Sequence, residues 1–165
     1  MRLVVTGANG FLGRNALLSL PRDWQIVALH RPQDAAPAFI ARHRLKHVTP
    51  LACDLTDAAQ VAEAAGLAAR ALGDDRWDAC LYLASNTNIP RSIERPAFDL
   101  TTNTLGLLHT LEHWRFDHLV YLSSGAVYAD LKGSVGVETP VTPTLPYAIS
   151  KPVSYTHLTL PTILR

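Results

Sequence analysis

Apolar positions along this chain follow two alternating rhythms. Short β-branched or leucine-rich runs have the length and composition of strands: Arg2-Leu3-Val4-Val5, Trp24 to Leu29, Lys46 to Ala52, Asp78 to Leu83, and His118 to Leu122. Between them lie stretches with helical spacing. Arg14 to Leu20 is ended by Pro21, Asp57 to Leu72 is alanine-rich and closed by Gly73, and Phe98 to Trp114 carries Leu100, Leu107, Leu108 and Leu111 on one side. Strands that alternate with helices and read as continuous apolar runs predict an α/β fold with a parallel sheet covered on both faces. Right-handed crossovers then give a doubly wound parallel sheet of order 3-2-1-4-5. Ligand is expected at the carboxyl ends of the strands, near the switch between the first and the fourth, where the turn after the first strand, Asp54, Ser85 and Ser124 fall. Gly133 to Pro146 reads as a loop.

Composition narrows the function classes. With 48% hydrophobic residues and a net charge of +1, the chain offers no electrostatic case for nucleic acid. No apolar run approaches the roughly 20 residues that span a membrane, so a cytoplasmic protein is expected. Cys53 and Cys80 lie at or in strands, which favours buried thiols over a disulfide. His109 and His113 are one helical turn apart, but no third ligand follows at zinc spacing, and no metal is expected.

Two short motifs carry chemistry. Thr6-Gly7-Ala8-Asn9-Gly10-Phe11-Leu12-Gly13 sits between a strand and a helix with G-x-x-G-x-x-G spacing. Glycines there allow a tight turn and close approach of backbone to a pyrophosphate, and the helix N-terminus supplies N–H donors. Tyr147 and Lys151, four apart, project from one helix face. A free phenol titrates near pH 10, and a neighbouring ammonium favours its phenolate form, which suits it to acid/base work nearer neutrality. A plain βα turn and a solvated helix pair remain the simpler readings of each motif alone.

In order and spacing, Thr6-Gly7-x-x-Gly10-x-x-Gly13, Asp54-Leu55, Leu83-Ala84-Ser85, Asn103-x-x-Gly106, Ser123-Ser124-x-x-Val127-Tyr128 and Tyr147-x-x-x-Lys151 resemble the extended short-chain dehydrogenase/reductases, the sugar-nucleotide epimerase/dehydratase family, over residues 2 to 151. The resemblance implies a Rossmann domain that binds NAD or NADP. It implies that Tyr147 is the acid/base, that Lys151 assists it and holds the nicotinamide ribose, and that Ser124 hydrogen-bonds the reacting oxygen. Gly7, Gly10, Phe11, Leu12 and Gly13 would take the pyrophosphate side. Asp54 and Leu55 would flank the adenine, Leu83, Ala84 and Ser85 would pass along the cofactor, and Asn103 takes the place of the family's helix asparagine. A nucleotide-sugar substrate and a homodimeric parent are implied as well. A non-catalytic dinucleotide sensor and an inert fragment are the alternative functions. Ser123-Ser124 as a turn, and Asp54 as a helix cap, stay open.

Three departures from that pattern stand out. Where relatives that use NAD end their second strand with an acidic residue, this chain has His30-Arg31; Arg31 is placed to pair with a 2′-phosphate, which favours NADP over NAD, unless it points into solvent ahead of Pro32. Ser85 replaces a smaller residue, a change expected to matter little. After Lys151, two prolines and the lack of a 3.6 period predict that the catalytic helix stops. Residues Val153 to Thr162 resemble a translated transposase end plus sequencing adapter, whose bases GTC TCT TAT ACA CAT CTG ACG CTG CCG ACG would encode them residue for residue. The expected division is therefore 1–151 as the native N-terminal part of the domain and 152–165 as a non-native tail.

Overall fold

A computed structural model of the chain describes residues 1–128, 131–136, 138–141 and 143–158. Among them the chain packs as two compact units, one made of Met1–Ala84 with His109–Leu122, the other of Ser85–Leu108 with the described residues from Ser123 onward.

The first unit is built on strands β1 (Arg2–Thr6), β2 (Gln25–His30), β3 (Val48–Ala52), β4 (Arg76–Tyr82) and β5 (Arg115–Tyr121). All pairings are parallel and the order is β3-β2-β1-β4-β5, as the sequence predicts. Leu3 of β1 stands opposite Ile26 and Ala79, so the central strand is flanked by apolar neighbours on both sides. Helix α1 (Phe11–Ser19) follows β1, α2 (Ala36–Arg42) follows β2, and α3 (Ala58–Leu72) follows β3. Leu17, Ile40, Leu45 and Val48 pack with Leu3, Val5, Ile26 and Ala28 into one core. Asp57 caps α3 by accepting from the N–H groups of Ala59 and Gln60, and Gly73 ends it in the left-handed region at φ 73°. Strand β5 differs from the continuous burial expected of a parallel strand: Val120 and the following Leu122 are exposed.

The second unit contains α4 (Ile89–Glu94), α5 (Pro96–Leu100) and α7 (Pro146–Leu158), with a short 3-10 turn at Gly125–Tyr128. Helix α5 runs through a π-helical turn, Thr101–Leu105, into α6 (Gly106–His113). The extra residue of a π turn rotates the helical register. For this reason Leu100 is exposed while Leu107 is buried, and the single apolar side expected from Phe98 to Trp114 is not formed. Helices α2 and α4 escape sequence detection because each is under two turns long; Asn88 caps α4 by accepting from Arg91 N–H at 2.9 Å, with Pro90 in its first turn.

Helix α7 corrects the expectation that the helix stops at Lys151: it continues through Pro152 to Leu158. A proline inside a helix removes a single N–H, here the donor to the Ala148 carbonyl, and local packing can offset that loss. Beyond the proline, fully buried Ser154 anchors the helix: its Oγ, with one proton to donate, lies 3.1 Å from the Ser150 carbonyl and 3.3 Å from the Asn103 carbonyl. Residues 159–165, part of the expected non-native tail, lie outside the described residues.

Candidate active site

The glycine turn is tight for steric reasons that can be located atom by atom. Gly7 has φ +63°, and a Cβ there would sit 2.8 Å from Ala84 N; a Cβ on Gly13 would lie 2.4 Å from Gly7 O. Both positions therefore exclude any side chain. Thr6, at the end of β1, accepts from Leu83 N–H at 3.0 Å and Ala84 N–H at 3.1 Å, pinning the segment after β4 against the turn. Gly10 caps α1 without a side-chain hydrogen bond, and the first turn has no acidic residue. Its backbone donors are left for an anion, and Phe11, 82% exposed, and the half-exposed Leu12 flank them. This arrangement fits the pyrophosphate of a dinucleotide.

Around that turn lie the other predicted residues of the first unit. Asp54 Oδ1 accepts from Thr56 N–H at 3.0 Å and Thr56 Oγ1 at 2.8 Å, a local turn that leads into α3, whose cap is Asp57. Leu55 is buried, and its carbonyl meets His109 Nδ1 at 3.1 Å. Arg31 pairs with Asp34: Nη2 lies 3.1 Å from Oδ1. Cys53 is buried and its thiol is pushed up to about 12, chiefly by burial and then by Asp54 and Asp57, so it is not a nucleophile. Among the described residues no cluster of ligands could hold a metal ion.

In the second unit, Tyr147 and Lys151 lie on α7 and are 8% and 4% exposed. Burial lowers the Lys151 ammonium to about 8, and the charge of Asp99 opposes that fall. Asp99, 1% exposed, belongs to a buried polar network. Its Oδ1 accepts from Asn86 Nδ2 at 2.7 Å and from Asn103 Nδ2 at 3.1 Å. Asn103 also donates to Ser150 Oγ at 3.0 Å, and its Oδ1 accepts from Asn86 N–H at 2.7 Å and Ser85 Oγ at 3.0 Å. Ser150 Oγ donates in turn to the Tyr147 carbonyl at 3.0 Å. At the start of α7, Ser92 Oγ accepts from Tyr147 N–H at 3.3 Å.

The structure thus brings Ser85, Asn103, Tyr147 and Lys151 into one hydrogen-bonded and charge-linked assembly. Ser124 makes a separate local contact, its Oγ accepting from Ala126 N–H at 3.2 Å, which is the turn reading of that residue. Neighbouring Ser123 meets the Tyr155 hydroxyl of α7. Sequence reasoning missed Thr6, Asn86, Asp99 and Ser150. A signal existed for two of them: Asp99 precedes Asn103 by one helical turn, and Ser150 shares the buried face of Tyr147 and Lys151.

Comparison with known proteins places this fold in a class. The chain belongs to the NAD dependent epimerase/dehydratase family, whose profile matches residues 3–159. Among curated proteins it is 29% identical over 161 residues to a dTDP-glucose 4,6-dehydratase of Mycobacterium tuberculosis, covering 92% of this chain and 46% of that relative. Among solved structures, DesIV, a dTDP-glucose 4,6-dehydratase from Streptomyces venezuelae with NAD and TYD bound, superposes at TM-score 0.74 with 28% identity over 96% of this chain and 52% of its own. The UDP-Glc/GlcNAc 4-epimerase of Campylobacter jejuni shares the fold at TM-score 0.78 and 21% identity, covering 95% of this chain and 47% of its own. The chain spans about half the length of the curated relatives it matches.

Proposed function

We propose that this chain is the N-terminal, cofactor-binding part of an enzyme that acts on a nucleotide-sugar as an epimerase or dehydratase, with Tyr147 as the proton-transfer group. The observation that carries the reading is Lys151: an ammonium held at 4% exposure one helical turn from a buried tyrosine is costly unless its charge is used. The family relationship and the open N-terminus of α1 supply the cofactor side.

In this reading Gly7, Gly10 and Gly13 with the first-turn N–H groups of α1 hold the pyrophosphate, and Asp54, Leu55, Leu83 and Ala84 line the path of the dinucleotide. Hydride transfer at a sugar carbon is the chemistry that a bound nicotinamide would supply. Tyr147 would take or give the hydroxyl proton, and the Lys151 charge would stabilise the phenolate that results. Ser124 would hydrogen-bond the reacting oxygen. The Asp99-Asn103-Ser150 network would fix the height of α7, since it grips the helix between its two reactive residues. Either nicotinamide dinucleotide suits the glycine turn; the case for NADP rests on Arg31 alone, and NAD accords with the family. Residues 152–165 we assign to a non-native tail, an assignment that reading the source DNA across codon 152 tests directly.

Turnover tests the catalytic reading. With the full-length protein and a nucleotide-sugar, Tyr147→Phe should abolish reaction while leaving dinucleotide binding intact. Unchanged turnover in that variant would remove Tyr147 from the mechanism, and binding without any turnover in the wild type would favour a sensor.

A further inference from the structure

Strand β2 ends beside the glycine turn, Ala8 N–H donating to the Leu29 carbonyl at 3.2 Å, and leads at once into a tight turn. Asp34 N–H donates to the Arg31 carbonyl at 2.9 Å, with Pro32 second in the turn, where its fixed φ is suited. The Asp34 side chain then closes the turn again from the opposite direction. Its Oδ2 accepts from Arg31 N–H at 3.1 Å and Arg31 Nε at 3.5 Å, and its Oδ1 from Nη2 at 3.1 Å. One carboxylate therefore holds both the backbone and the Nε–Nη2 edge of Arg31. The Asp34 side chain is 11% exposed against 60% for Arg31, so the acid is the more buried member of the pair and the base the solvated one.

This edge of a guanidinium is what reads a phosphate in two-point fashion. At Arg31 it already faces an anion. A 2′-phosphate would have to displace a carboxylate that its own turn anchors, and would then sit beside that carboxylate with like charge. A ribose 2′-hydroxyl meets neither obstacle, and a carboxylate can accept its hydrogen bond.

We propose that Asp34 is the residue that sets nucleotide preference, turning the site toward the dinucleotide without a 2′-phosphate by engaging Arg31. The proposal rests on the reading of the glycine turn as a dinucleotide site and concerns a residue four positions beyond the end of β2, where neither the glycine motif nor the strand pattern points.

Fluorescence titration of the 165-residue chain with NADH and with NADPH tests it, using the wild type, Asp34→Asn and the double variant Asp34→Asn with Arg31→Ala. Circular dichroism confirms that each is folded. The wild type should bind NADH more tightly. Asp34→Asn should shift the NADPH to NADH affinity ratio toward NADPH by about tenfold or more. That gain should vanish in the double variant. Binding of both cofactors with a ratio unchanged by Asp34→Asn overturns the role of Asp34 and leaves the dinucleotide site standing. A wild-type chain that binds neither cofactor overturns the site and this inference together.

Discussion

Asn103 donates its Nδ2 to Ser150 Oγ at 3.0 Å across 47 positions of sequence, and so ties the helix that contains the π turn to the residue lying between Tyr147 and Lys151. The amide has no spare capacity: its Oδ1 accepts twice and its Nδ2 also serves Asp99 and, at 3.3 Å, the Asn86 carbonyl. Asp99 Oδ2 is buried without a hydrogen-bond partner, so the network already carries one unmet oxygen and tolerates the loss of a donor poorly.

Replacing Asn103 with Leu, of similar volume, should therefore destabilise the protein by about 2–4 kcal/mol, because buried Asp99 loses one of its two donors, Ser150 Oγ loses the donor it accepts from, and the part-buried Asn86 N–H loses its acceptor. Chemical denaturation of the two proteins measures the difference. A loss below about 0.5 kcal/mol would mean that water replaces the amide.

Lys151 predicts a specific pH dependence of stability. Its ordinary value is 10.5 and burial lowers it to about 8. Below pH 8 the folded and unfolded states both hold the proton, and the cost of burying the charge is constant. Between pH 8 and 10.5 the unfolded state binds more protons, so stability rises with pH. Wild type should gain about 3 kcal/mol relative to Lys151→Met over that interval, read from denaturation midpoints at successive pH values. Parallel curves would show that the ammonium is not buried. Asp99→Asn should start the rise at lower pH, since the Asp99 charge supports the ammonium.

Pro152 offers a test of the continued helix. With α7 running to Leu158 through a proline that cannot donate to Ala148, Pro152→Ala should restore one hydrogen bond and stabilise the chain by about 1–3 kcal/mol. Thermal melts of the pair decide the matter. No change would place the helix end at Lys151.

Much of the fold is legible in the order of residues because its cause is local. Runs such as Leu3-Val4-Val5 and Ile26-Val27-Ala28-Leu29 have to be buried on both sides, and the crossovers between them have one favoured hand, so strand order follows from pattern alone. The glycine turn is legible too, since a Cβ at Gly7 or Gly13 would collide with backbone. Less legible are the places where two local rules compete. The Phe98 to Trp114 stretch has the propensity of one regular helix, yet the π turn at Thr101–Leu105 shifts its register and turns Asp99 and Asn103, rather than Leu100, to the interior. Pro152 signals a break that the bonds of Ser154 override.

What the sequence by itself determined is the sheet, its order, and the placement of Tyr147 and Lys151 one turn apart on one helix, because each depends on spacing within one element or on steric limits of single residues. Only the tertiary structure decided that Asp99 and Ser150 accompany that pair and that Asp34 engages Arg31. The Asp99 and Ser150 contacts depend on which polar groups, once out of water, find each other, and the Arg31 contact on the conformation of an exposed turn. Spacing alone does not disclose such partners when they lie 47 residues apart, as Asn103 and Ser150 do.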